Sequence, residues 1–192
     1  MKKITKNDIT ALVLAGGRSS RMQGQDKGLM VFNGKPLITY ALNVTKNTAQ
    51  HLLISANRNI ESYQQFGEVI TDDLPDFQGP LAGIAKALHT SKTPYLLILP
   101  CDMPLIDEVI ITRLIGSMNQ NSADICVAHD GVFMHSTVAL IKRNLHNNLL
   151  DFLASGRRKL GRWIEQNDFI KVDFSDCSEV LANFNSPEDL LR

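Results

Sequence analysis

At 192 residues, with 20 Lys and Arg against 20 Asp and Glu, the chain is long enough for one well-buried core and carries no formal net charge. That balance gives no global field for nucleic acid or an anionic membrane, so neither partner is expected and any anion recognition has to be local. The longest apolar runs, such as Tyr95 to Leu99, are far too short to span a bilayer, and the N-terminal Met1-Lys-Lys-Ile-Thr-Lys-Asn-Asp8 lacks the apolar segment of a signal peptide, which points to a cytoplasmic protein.

Ile9 to Leu14 is a nearly continuous apolar run rich in strand formers and predicts a buried parallel strand. It runs straight into Ala15-Gly-Gly-Arg-Ser-Ser-Arg-Met-Gln-Gly-Gln-Asp-Lys27, a basic glycine loop. Gly16 and Gly17 remove the side chains that would hold backbone N–H groups away from an anion, while Arg18, Arg21 and Lys27 supply positive charge. The two best-known phosphate loops do not fit: Gly34-Lys35 is followed by Pro36 rather than Ser or Thr, and Gly16, Gly17 and Gly24 lack the G-x-G-x-x-G spacing.

Leu37, Tyr40, Ala41 and Val44 recur at helical spacing and predict a helix with Pro36 in its first turn. A strand over His51 to Ala56, a short helix around Glu61 to Phe66 and a strand over Glu68 to Thr71 follow. Leu81, Ile84, Ala85 and Leu88 repeat the helical pattern, and Tyr95 to Leu99, the most apolar strand, is expected near the centre of the sheet. Next come a helix facing inward through Ile111, Leu114, Ile115 and Met118, a strand over Ala123 to Ala128, and a strand over Thr137 to Ile141. Too few residues precede the last of these for a crossover helix, so it is read as antiparallel. Leu145, Leu149, Phe152 and Leu153 mark a further helix, Phe169 to Phe174 a final strand, and Ser186-Pro187-Glu188 the start of a terminal helix. This alternation predicts an α/β fold as a single domain over residues 1–192, with a Rossmann-like, mostly parallel sheet, helices on both faces and one antiparallel strand.

Three features fall at predicted carboxyl ends of strands, where open α/β sheets bind ligands: the glycine loop, Thr71-Asp72-Asp73 with Gly79-Pro-Leu-Ala-Gly83 shortly after, and Pro100-Cys-Asp-Met-Pro104. Asp102, between two prolines, suits Mg²⁺, which takes one or two protein carboxylates plus phosphate oxygens. Taken alone, Asp102 is as well read as the N-cap of a helix beginning near Pro104; the basic loop on the same edge tips the balance to metal. Asp72 and Asp73 also read as a solvated turn, and Gly79-Pro80 as a turn that would let a flat base approach the backbone. Asn183 and Asn185 flank Phe184, so both amides can face one way on an extended segment, although turn chemistry explains them about as well. His129 and His135 lack a third metal ligand and read as surface residues. Arg157, Arg158, Lys159 and Arg162, near Trp163, read either as a solvated helix end or as a site for a second phosphate-bearing ligand. Cys101, Cys126 and Cys177 form no C-x-x-C pair, which argues against structural zinc and disulfides, and Cys101 reads as a small buried residue.

Leu14-Ala-Gly-Gly-Arg-Ser-Ser-Arg-Met22 with Asp26-Lys27, Asn33-Gly-Lys-Pro-Leu37, Gly79-Pro-Leu-Ala-Gly83, Pro100-Cys-Asp102 and Asn183-Phe-Asn-Ser-Pro187 together resemble the motifs of the molybdenum cofactor guanylyltransferases, in that family's order. The family is a branch of the nucleotidyltransferases with a nucleotide-diphospho-sugar transferase type of fold. The resemblance implies transfer of GMP from GTP to the terminal phosphate of molybdenum-bound molybdopterin, with pyrophosphate released and Mg²⁺ as cofactor. It implies that Leu14, Ala15, Gly16 and Gly17 meet the nucleotide, Lys27 its phosphates, Asp72 the guanosine part, and Asp102 both Mg²⁺ and nucleotide. Pro80 and Leu81 would border the base, Arg21 would join Lys27 and Asp102 in catalysis, and Asn183 and Asn185 would lie on the pterin side. Ser55 stands where the family has a nucleotide-binding Asn, with Asn57 two residues on as a substitute for the amide; Gln23 and Ser136 replace a usual Gly and Pro. Molybdenum-inserting and molybdoenzyme-maturation proteins are the protein partners this would imply.

Such chemistry needs no histidine or cysteine, because a phosphate monoester is already ionised near neutral pH and attack on an α-phosphate requires alignment and charge neutralisation. Three other readings stay open: a cytidylyltransferase acting on the same pterin, a sugar-phosphate nucleotidyltransferase, and a nucleotide-binding or delivery protein that keeps the fold without turnover. Gly79-Pro-Leu-Ala-Gly83 weighs against the first two, and Lys27 with Asp102 against the third.

Overall fold

The computed structural model describes residues 3–15, 26–72, 79–185 and 189. Its main sheet is built on β1 (Ile9–Leu14), β4 (His51–Ser55), β5 (Glu68–Ile70), β6 (Tyr95–Pro100), β7 (Ile125–His129), β8 (Met134–Lys142) and β9 (Phe169–Asp173). These seven strands lie in the order β5-β4-β1-β6-β8-β7-β9, which puts β6 at the centre. Neighbours pair in parallel except at β8, which runs antiparallel to both β6 and β7. The mostly parallel sheet with one antiparallel strand is the architecture read from the sequence, and β8 is the strand expected to be reversed.

Side-chain alternation along the central strands supplies the two halves of the core. Ile9, Ala11, Val13, Leu97 and Leu99 point to one face, where they meet α1 (Ile38–Thr45), α2 (Ile60–Gln64) and α4 (Glu108–Gln120). Leu12, Leu96 and Ile98 point to the other, against α3 (Pro80–Thr90), α5 (His146–Ala154) and α6 (Leu160–Ile164). Strands buried on both faces have to be apolar at every position, which is why β1 and β6 read as continuous hydrophobic runs. Each fully buried Leu or Ile contributes roughly 1.5–3 kcal/mol by leaving water.

One local expectation is corrected. Pro36 does not open a helix: Val31–Phe32 (β2) and Lys35–Pro36 (β3) form a small antiparallel hairpin, and α1 begins two residues later at Ile38. Asn33 and Gly34 have φ of 46° and 76°, so they make the two-residue, positive-φ turn that Asn-Gly favours, and its geometry overrides the helix-starting preference of proline. Arg157, Arg158 and Lys159 are exposed in the link between α5 and α6, and Arg162 is exposed on α6, whose Trp163 is fully buried with its indole N–H on Asn148 Oδ1 at 2.7 Å. The terminal helix expected from Ser186-Pro187-Glu188 lies outside the described residues.

The order of connections creates one reversal. From β1 the chain steps outward through β4 to β5, then returns to place β6 on the other side of β1. Strand order thus reverses at the carboxyl ends of β1 and β6, the place where a crevice opens in sheets of this kind. Gly34→Ala should lower the unfolding free energy by about 1–2 kcal/mol, because an L side chain is disfavoured at its φ of 76°; with no neighbouring atom within 4 Å of the added Cβ, the backbone conformation alone sets that cost. Urea denaturation measures that difference.

Candidate active site

At the β1/β6 crevice the backbone continues beyond the regular pairing. The Cys101 N–H donates to the Leu14 carbonyl at 3.0 Å and the Ala15 N–H to the Ser55 carbonyl at 2.9 Å, tying together the ends of β6, β1 and β4. Asp102 leaves β6 directly after this bond. It does not cap a helix: α4 begins at Glu108 and is capped by Asp107, whose carboxylate accepts from the Val109 N–H at 3.0 Å. The Asp102 carboxylate instead accepts from Lys27 Nζ at 2.9 Å, with the two side chains 20% and 19% exposed.

Lys27 Nζ also donates to Asn185 Oδ1 at 2.6 Å, and the Phe184 N–H donates to the Asp102 carbonyl at 2.8 Å. Three segments remote in sequence therefore meet at one cation and one carboxylate. Asn183 and Asn185 are exposed while Phe184 between them is buried, its ring edge-on to Phe32 at 5.0 Å. The alternation read from Asn-Phe-Asn is thus present, with the apolar ring anchoring the segment to the β2–β3 hairpin.

The second cluster follows β4 and β5. Asp72 Oδ2 accepts from Asn57 Nδ2 at 2.5 Å and the Asp72 N–H donates back to Asn57 Oδ1 at 3.1 Å, so the amide beside Ser55 holds the carboxylate by two bonds. Ser55 is buried, and its hydroxyl lies against Gly83, so tightly that a Cβ at position 83 would overlap the Ser55 oxygen and sit 3.1 Å from the Ser55 Cβ and 3.7 Å from Leu14 Cδ2. Gly83 lets the first turn of α3 rest on the ends of β1 and β4. Pro80 occupies the first turn and is partly exposed, whereas the Leu81 side chain is fully buried in the core, leaving only its backbone for a ligand.

Cys101 carries no chemistry here. Burial pushes its thiol far up from the usual range, with the Asp102 and Asp26 carboxylates adding to the shift, so it stays protonated at neutral pH. His135 is held by Asp130 at 2.7 Å, and Asp130 also accepts from the Phe133 and Val132 N–H groups; the contacts, that from Phe133 foremost, hold its carboxyl well below the ordinary carboxylate value. Among the described residues no group of three or more His, Cys, Asp or Glu side chains is placed to hold a metal ion. Gly16 and Gly17, expected to meet the nucleotide, and Arg21, expected to act in catalysis, lie outside the described residues.

A family model described as a MobA-like NTP transferase domain matches residues 11–170. The chain belongs to the MobA-like NTP transferase family. A molybdenum cofactor guanylyltransferase of Polynucleobacter asymbioticus is 41% identical over 192 aligned residues, covering 97% of this chain and 96% of the relative. Another from Shewanella baltica is 37% identical over 187, covering 97% and 95%. Among solved structures, molybdopterin-guanine dinucleotide biosynthesis protein A of Archaeoglobus fulgidus superposes with a TM-score of 0.76 over 95% of each chain at 19% identity, a likeness of fold.

Inspection of the sequence missed Asn59 and Tyr63, which in this MobA-like chain turn the Asp26 carboxylate inward beside Lys27. The only signal was Asp26-Lys27 itself, since a tyrosine in a five-residue helix announces nothing about a partner 37 positions earlier. Gly83→Ala should destabilise the fold by about 1–3 kcal/mol, the usual range for overpacking. Adding Ser55→Gly should restore most of the loss, because the overlap is with that side chain; thermal melts of the single and double variants check both effects.

Proposed function

We propose that this chain acts as one nucleotidyltransferase domain that transfers GMP from GTP to the terminal phosphate of molybdenum-bound molybdopterin, forming molybdopterin guanine dinucleotide cofactor and releasing pyrophosphate. The observation that carries the reading is the meeting of Lys27 Nζ with Asp102 at 2.9 Å, at the carboxyl end of the central strand. A cation and a hard carboxylate on that edge are what an α-phosphate displacement requires. The family membership and the names of the curated relatives support GTP-dependent guanylyl transfer in particular.

The donor set suits a hard divalent cation. Asp102 Oδ2 and Asn185 Oδ1 share one ammonium, so oxygen donors already converge on a positive charge at this point. Such a small set fits Mg²⁺, which keeps several waters and takes further ligands from phosphates. Asp102 would hold the ion, which when bound supplies neutralisation of charge on the phosphate oxygens.

The chain's own residues do the rest. Lys27 is within reach of the crevice and would donate to phosphate oxygens as negative charge builds on the leaving pyrophosphate, with Arg21 adding positive charge from the loop. The Ala15 end of β1 and the loop amides of Gly16 and Gly17 would receive the phosphates, with Leu14 and Ser55 alongside. Asp72, fixed by Asn57, would accept from the guanosine part, and Pro80 and the Leu81 backbone would border the base. Asn183 and Asn185, both exposed, would face the pterin. The attacking oxygen of the molybdopterin phosphate forms a bond to the GTP α-phosphorus as the bond from that phosphorus to pyrophosphate breaks. No base is needed, since the nucleophile is already anionic.

No helix among the described residues is long and apolar enough to cross a membrane. We place the enzyme in the cytoplasm, exchanging its pterin with molybdenum-inserting and molybdoenzyme-maturation proteins. GTP with Mg²⁺ should raise the melting temperature more than CTP, ATP or UTP, and preferential stabilisation by CTP would overturn the guanylyl reading. Asp102→Ala should lower pyrophosphate release with loaded molybdopterin by about 100-fold or more, the scale for losing a preorganised charge partner; equal rates in both proteins would sink the assignment of Asp102.

A further inference from the structure

Asp26 and Lys27 are adjacent and oppositely charged, yet they do not pair. The Asp26 side chain is 4% exposed and turns into the protein. Its Oδ1 accepts from the Tyr63 hydroxyl at 2.5 Å and its Oδ2 from Asn59 Nδ2 at 3.0 Å, with Arg58 Nε 3.4 Å from the same oxygen. Tyr63 is completely buried in the last part of α2, and Asn59, with φ of 50°, is the residue from which that helix starts. A carboxylate with that many donors has little left to offer an ammonium, so Lys27 projects the other way, to Asp102 and Asn185.

The same tyrosine also bounds the residue after the lysine. Gly28 lies so close to the Tyr63 hydroxyl that a Cβ there would overlap it and stand 3.2 Å from two ring carbons. Beyond it, the Leu29 N–H donates to the Asp26 carbonyl and the Met30 N–H to the Lys27 carbonyl, each at 3.1 Å, closing a single tight turn around Lys27. One side chain therefore fixes the backbone on both sides of the lysine, by a hydrogen bond before it and by contact after it.

We propose that Tyr63, acting with Asn59 through the Asp26 carboxylate, is a positioning residue that sets where the Lys27 ammonium stands at the phosphates. The proposal rests on the reading of Lys27 as the phosphate-binding cation. A long lysine side chain has four rotatable bonds, and its charge can act on a developing phosphate charge without reorganising only if the backbone that carries it is held. Displacement by about 1 Å at such a group can cost up to 100-fold in rate. Tyr63 touches no substrate; it works through the turn.

The test is a double-mutant cycle between Tyr63→Phe and Lys27→Ala, following pyrophosphate release from GTP with loaded molybdopterin. Tyr63→Phe removes the O–H donor and keeps the ring, and should lower kcat about tenfold while changing KM for GTP less than about twofold. In the Lys27→Ala background the same substitution should have no further effect, because what it misplaces is gone. A residue that only supports the fold would lower kcat by the same factor in both backgrounds, and that additivity, or an unchanged kcat in Tyr63→Phe, overturns the proposal. Should Tyr63→Phe fail to fold, Asn59→Gly, which keeps the positive φ at an exposed position and removes the second donor, is judged by the same criterion. Full activity in Lys27→Ala alone would instead remove the lysine from the reaction, a failure of the underlying reading that the single variant shows by itself.

Discussion

The parallel pairing of β1 with β6 is the constraint from which the site follows. It carries Ile9 to Leu14 alongside Tyr95 to Pro100 in register, so that Leu14 ends opposite Pro100 and Cys101 can still bond back to the Leu14 carbonyl. Because β4 pairs with the other side of β1, the strand that starts the fold has neighbours reached by chain segments running in opposite directions across the sheet. The glycine loop and Asp102 leave the sheet at that one reversal. Shifting either strand by a residue would exchange the two apolar faces and move Asp102 away from Lys27 together.

The Lys27–Asp102 contact is not there for stability. In a pair this far withdrawn from water, the desolvation of both charges offsets much of their attraction. Its meaning lies in its other partner, Asn185, and in the buried anchors that keep it in place. The anchors of Asp26 on the inside and Asp102 on the outside divide the two residues of one dipeptide, so that neighbours in sequence are distinct in environment.

The parts of the fold legible in the sequence were those with a single physical reading. β6 had to be central because only a strand covered on both faces is apolar throughout, and β8 had to be reversed because no crossover precedes it. Pro36 was ambiguous: it suits a helix start, but Asn33-Gly34 just before it is an equally strong hairpin signal, and the two-residue turn prevailed. Asp102 could also have been a cap, and only the position of Asp107 one turn later decides it, since a helix takes the acid nearest its first amides. The Asp26 anchors were beyond reach, because hydrogen bonds from Tyr63 and Asn59 depend on how α2 packs, which no local pattern encodes.

Phe184, held between the Asp102 carbonyl and the Phe32 ring, joins late-made residues to early ones across most of the chain. Lys27 and its partner Asn185 are 158 positions apart. A chain emerging from the ribosome can pair β1 with β4 and then with β6 while Asn185 is still unsynthesised, so the sheet can form well before the pocket is whole. Assembly of the sheet and closure of the Lys27–Asn185 contact are thus separate events in the making of this molecule.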